Sequence, residues 1–120
     1  MSDRAPKTVP LFETRGDTFT LNIAVVNSSD VAVDITGWTF YLTIKSKLAD
    51  SDVNAAIQKI VTSHTNPTGG ITVISLTPAE TDELLGMYVY DVQWKDDSGN
   101  VETLLNGNIT FDEDVTRTGS

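Results

Sequence analysis

Residues 86–111, GMYVYDVQWKDDSGNVETLLNGNITF, constrain the fold more than any other part of the chain. Tyr88, Tyr90, Val92 and Trp94 recur at every second position, with Val89, Asp91, Gln93 and Lys95 between them. A period of two is how a strand buries one face and wets the other, whereas a helix of 3.6 residues per turn would scatter these side chains around its axis. The KDDSGN segment that follows supplies the Asp, Gly and Asn that tight hairpin turns favour. The segment therefore predicts a strand, a turn and a returning strand, which makes the chain an antiparallel β protein. No cluster of catalytic side chains accompanies it.

Other segments repeat the pattern. Phe19, Leu21, Ile23 and Val25 alternate with polar residues, as do Trp38, Phe40, Leu42 and Ile44. Residues 8–13 read as a first strand that Pro10 holds to a sheet edge. Residues 31–35 read as a short strand before Thr36-Gly37, and residues 71–76 as a largely buried one. Residues 48–63 carry both patterns: Val53, Ala56, Ile57 and Ile60 have roughly helical spacing, yet residues 57–61 also suit a strand entered from a loop, which is the expectation here. In residues 77–86, Thr77 is placed to cap a helix, Pro78 suits its first position, Glu80 completes a capping box and Gly86 can end it.

Strands about ten residues apart with one short crossover helix near residues 78–85 predict an all-β, immunoglobulin-like antiparallel β-sandwich. Tyr88 and Tyr90 just after the crossover match the arrangement in which a strand-start tyrosine bonds back to the crossing loop, with Trp38 as the buried aromatic of the facing sheet. Both also fit as plain core aromatics. Residues 1–7 are expected to be a flexible arm, residues 8–117 a single domain and residues 118–120 a tail.

Composition narrows the function classes. The chain has 120 residues and no cysteine, so disulfides, thiolate metal sites and a cysteine nucleophile are excluded. The first ten residues lack the apolar stretch of a signal peptide, and no apolar run approaches the roughly 18 residues of a membrane helix. The net charge is −9. Its second half holds only Lys95 and Arg117 as basic residues, so nucleic acid is not an expected partner. Nor is a membrane.

The candidate motifs have plain structural readings beside them. Arg15-Gly16-Asp17 is an adhesive tripeptide when it tops an exposed loop, but here it runs directly into a strand. Asp96, Asp97, Ser98 and Asn100 offer oxygens to a cation, yet a calcium loop needs about six to eight, and Glu102 is expected to point away. The single histidine, His64, cannot build a transition-metal site with no cysteine and no second histidine. No serine stands in a nucleophile elbow. The expectation is a non-enzymatic protein with no catalytic residue, cofactor or metal. Tyr41, opposite the Trp38/Phe40/Leu42 face, is the candidate exposed aromatic for a glycan or a subunit contact.

Several further residues carry a resemblance. Arg15-Gly16-Asp17-Thr18 opens one strand, and Val33-Asp34-Ile35-Thr36-Gly37-Trp38 leads into the next. Gly70-Ile71, Tyr88-Val89-Tyr90-Asp91-Val92, Gly99-Asn100-Val101, Thr103-Leu104-Leu105-Asn106-Gly107 and Asp114-Val115-Thr116-Arg117 follow. Over residues 12–117 the chain resembles small virion β-domains of tailed phages, similar to the N-terminal domain of upper baseplate proteins. The resemblance implies an Ig-like sandwich in a virion, assembled in the bacterial cytoplasm, with other virion structural proteins as partners and a homo-oligomeric or lattice position. It carries no catalytic residues. Upper baseplate proteins continue into further domains whereas this sequence ends at Ser120, so an accessory position is expected, as capsid decoration or head fibre or at the neck, tail or baseplate. The polar termini would act as tethers, and Val115, Thr116 and Arg117 would add to a neighbour's sheet edge, with Asp114 beside them as a further candidate interaction residue. A glycan-binding role in host adsorption is the alternative.

Overall fold

The computed structural model describes residues 7–47 and 55–113. Eight strands and one helical turn follow in the order β1 (Lys7–Thr8), β2 (Leu11–Thr14), β3 (Phe19–Ala24), β4 (Thr39–Lys45), β5 (Ile57–Val61), β6 (Ile71–Leu76), α1 (Pro78–Thr81), β7 (Gly86–Lys95) and β8 (Val101–Asp112). They form a β-sandwich. One sheet has the order β1-β8-β7-β4-β5, with β2 beside β1 on β8, and the other is the pair β3-β6. Every ladder is antiparallel except those of β1 and β2, which run parallel to β8. The beginning and end of the described chain are thus paired, which makes β8 an interior strand.

The alternating residues meet between the sheets. Phe40, Leu42 and Ile44 of β4, Ile74 of β6, Val92 of β7 and Ile109 of β8 are fully buried, and Phe19, Trp94 and Phe111 nearly so. Removing this much apolar surface from water is the main force holding the two sheets together. Trp38 enters the core differently from expectation. It precedes β4 in the large sheet and stacks on Trp94 of the adjacent β7, ring centroids 4.4 Å apart, so it does not belong to a facing sheet. Aromatics on adjacent strands are neighbours whenever their registers match, and β4 and β7 pair Phe40 with Trp94.

Both tyrosines of β7 find backbone partners. Tyr88 Oη accepts a hydrogen bond from the Leu85 amide in the crossing segment, 3.2 Å, as expected of a strand-start tyrosine. Tyr90 Oη donates to the Val9 carbonyl at 2.6 Å. Pro10 splits the N-terminal strand at this point into β1 and β2, and Gly107, the cross-strand partner of Tyr90, lies beneath the gap. Gly107 has φ +145, and a Cβ there would stand 2.6 Å from the Val9 oxygen. Only glycine allows so close an approach.

The helical turn is shorter than residues 78–85. Its start is as read from the sequence: Thr77 Oγ1 accepts from the Glu80 amide at 3.2 Å and Glu80 Oε1 from the Thr77 amide at 2.8 Å. It ends at Thr81, and Gly86 opens β7 instead of closing the helix. Residues 31–35 form no strand; one bridge links Val26 to Ala32, while Ile35 N–H donates to the Pro67 carbonyl. Residues 57–61 are the expected strand. Lys7, expected in the flexible arm, pairs with Leu105 in β1. The expected tail at 118–120 and the helix-versus-strand choice at Val53 lie outside the described residues.

Candidate functional site

The wide, solvent-facing side of the large sheet carries Tyr41. It sits on β4 between Ile60 of β5 and Gln93 of β7 and is partly exposed. Around it, Thr43, Gln58, Asp91, Gln93 and Lys95 line a hollow of about 290 Å³. A second hollow, about 380 Å³, shares Thr43 and Asp91 and extends toward Asn106 and Asn108. Alternation places all these side chains on the outer face, so the two hollows adjoin as one groove across four strands. Its amides are partly engaged: Gln58 Nε2 donates to Thr43 Oγ1 at 3.2 Å and Gln93 Nε2 to Thr103 Oγ1 at 3.3 Å. Asp114, Val115, Thr116 and Arg117, the other residues read as interacting, lie outside the described residues.

At one end of this face the surface turns apolar. Phe12 of β2 and Met87 of β7 both pair with Thr110 of β8, one on each side. They are 71% and 67% exposed, and Leu85, just before β7, is 51% exposed. The sequence reading missed this row because it forms only when β2 aligns with β8, a pairing of residues almost a hundred apart.

The Arg15-Gly16-Asp17 tripeptide is docked, not displayed. The buried Gly16 amide donates to Thr81 Oγ1 at 3.0 Å, and Thr81 Oγ1 donates to the Asp17 carbonyl at 2.7 Å. Arg15 Nε donates to the Asp82 carbonyl at 3.2 Å, Nη2 bonds to the same oxygen, and the Asp82 carboxylate lies 3.8 Å from Nε. The Asp17 amide is bonded to Thr14 O, so the residue belongs to a turn and not to β3. Burial, with Asp17 close by, pushes the carboxyl of Glu13 up from its ordinary value. An adhesive tripeptide needs a free arginine, and this one is held against α1.

The other motifs are occupied by the fold. Asp96 accepts from Ser98 N, Asn100 N and Asn100 Nδ2 at 2.8–3.0 Å, which closes the hairpin turn. Hydrogen bonding, led by the Asn100 side chain, holds its carboxyl below the usual range. His64 contacts Thr72 Oγ1 at 2.9 Å and the Trp38 carbonyl at 2.8 Å, bracing the two sheets. Among the described residues, no three His, Asp or Glu side chains converge as a metal site would require. The Glu102 carboxylate makes no hydrogen bond to the Asp96 turn and is closed to solvent. A β-bulge between Val92 and Gln93 turns it inward opposite Trp94. The adjacent apolar pair Leu104-Leu105 is the break in alternation that signals the bulge in the sequence.

No protein family matches the chain, and no curated protein matches it either.

Proposed function

We propose that the chain is a non-enzymatic attachment domain of a tailed-phage virion, held to neighbouring structural proteins by its surface. The observation that carries the reading is the exposed row of Phe12 and Met87 flanking Thr110 at one end of the large sheet. Large apolar side chains exposed together at one end of a sheet face mark a surface that a protein partner covers. The full-length resemblance to virion β-domains supplies the class of partner, and the domain's motifs serve folding instead of chemistry. Position on the head, neck, tail or baseplate follows from which subunit meets this row.

The test is a Phe12→Asp/Met87→Asp double variant supplied in place of the native chain. Both side chains are solvent-exposed, so the variant should fold with an unchanged melting curve. It should be lost from assembled particles. Incorporation at the native level would refute the row as the attachment surface.

The groove around Tyr41 supports a second reading, a glycan-binding module. Tyr41 beside Gln58, Asp91, Gln93 and Asn106 combines one aromatic face with many hydrogen-bond partners, which is the chemistry of a sugar site. A Tyr41→Ala variant should then lose binding on a glycan array probed with a multimerised domain. An array blank for the native domain removes this reading.

A further inference from the structure

An unbroken β7–β8 ladder would set Trp94 opposite Thr103 and place Glu102 opposite Lys95, on the solvent side. The extra residue of the bulge, Leu104, instead brings Glu102 opposite Trp94 and turns its side chain toward the core. Both carboxylate oxygens and the Trp94 indole Nε1 are closed to water and lack a hydrogen-bond partner. Trp94 is only 3% exposed. Carboxyl oxygens and an N–H closed to water without a hydrogen-bond partner are among the less favourable arrangements a fold can hold. The residues Trp94 and Glu102 line one wall of a hollow of about 450 Å³ beside the β7–β8 turn, together with Trp38, Val33, Asp96 and Asn100, while their polar atoms stay closed to it.

The lining selects a ligand. No basic side chain is among the lining residues, and Asp96 places a second carboxylate at the rim. An anion is repelled by both acids. A divalent metal needs about six oxygens, and the indole N–H faces any metal with the wrong polarity. Water satisfies the N–H and some lone pairs but leaves the negative charge unbalanced. A positive group on an apolar stem satisfies every feature, because its charge balances the carboxylates and its stem packs on the stacked indoles.

We propose that this hollow binds an organic cation, an ammonium or guanidinium group that pairs with Glu102, and that a carbonyl oxygen beside the cation, where the ligand has one, accepts the Trp94 N–H. Binding requires side-chain rotations of Glu102 and Trp94 that open the carboxylate and the indole N–H into the hollow. The overall charge of −9 favours the approach of such a group. The same chemistry comes from a free amine or from a lysine or arginine side chain of a partner protein. The inference is independent of the virion reading, since the hollow lies at Trp94 and the apolar row at Met87, the opposite ends of β7.

The experiment follows the Trp94 indole N–H signal in a ¹H–¹⁵N spectrum of the full chain during titration. The probes are ethylguanidinium, butylammonium, and the N-acetyl N-methylamides of arginine and lysine, with N-butylacetamide as the neutral control. Cations should shift the signal saturably and the neutral control should not. Glu102→Gln, of nearly the same shape, should weaken binding by roughly tenfold or more. Tighter binding of the capped amino acids assigns the site to a protein side chain; equal affinities assign it to free amines. Trp94→Phe, read through the Trp38 signal, keeps the carboxylate, so it should keep cation binding and lose any preference for the capped amino acids. The proposal is overturned if no cation gives a saturable shift, if the neutral control binds equally, or if Glu102→Gln binds as the native chain does.

Discussion

Replacing Thr81 by valine keeps the shape of a fully buried side chain and removes only its hydroxyl. That hydroxyl accepts from the Gly16 amide and donates to the Asp17 carbonyl, tying the loop between β2 and β3 to α1. Without it the Gly16 N–H is left buried and unpaired, at a cost of about 1–3 kcal/mol, and the half-exposed Asp17 carbonyl loses about 1 kcal/mol more. The expected total is about 2–4 kcal/mol, a large share of the roughly 5–15 kcal/mol that holds a domain of this size folded. Urea unfolding followed by tryptophan fluorescence measures it as a lower midpoint with an unchanged slope. Thr81→Ser, which keeps the hydroxyl, should recover most of the loss. Hydrogen exchange at the Gly16 amide should be slow in the native chain and much faster in the valine variant. A valine variant within about 0.5 kcal/mol of native, a margin typical of innocuous surface changes, would show that the tripeptide is not anchored by Thr81.

Tyr90→Phe removes the bond to the Val9 carbonyl and should cost about 1–2 kcal/mol in the same unfolding assay, with β1 amides losing exchange protection first. Gly107→Ala forces a Cβ against the Val9 oxygen at a positive φ and should cost more than Tyr90→Phe; equal or smaller loss would place the N-terminal strand elsewhere. Acid should destabilise the domain through Glu80. The Thr77 amide first, then Lys59, hold its folded pKa below its ordinary 4.5. Its contribution is therefore complete above pH 4.5 and lost as pH falls through the lower folded value. Glu80→Gln should flatten that part of a stability–pH curve, and an unchanged curve would remove Glu80 from the account.

The alternation of Tyr90, Val92 and Trp94 and of Phe40, Leu42 and Ile44 made the sandwich legible, because a one-residue slip would have put those side chains in water. The capping box at Thr77 and Glu80 was legible for a similar reason, since both halves of it are local. What the sequence concealed was non-local. That β2 runs parallel to β8, setting Phe12 beside Met87, depends on a pairing no neighbouring residue encodes. Trp38 and Trp94 were both read as buried, but their stacking in one sheet depends on the β4–β7 register. Residues 31–35 have strand-forming composition, yet the Ile35 amide is taken by Pro67. Glu102 was read only as pointing away from the Asp96 turn; its place opposite Trp94 depends on the β-bulge at Leu104.

The most direct test of the attachment account is peptide mass spectrometry of purified particles produced by the genome that encodes this chain, with immunogold labelling of the same particles. The account predicts the chain in the particles at a fixed stoichiometry and label at one recurring position. Particles that carry neither the polypeptide nor label would contradict it and leave binding of a glycan or host protein in its place.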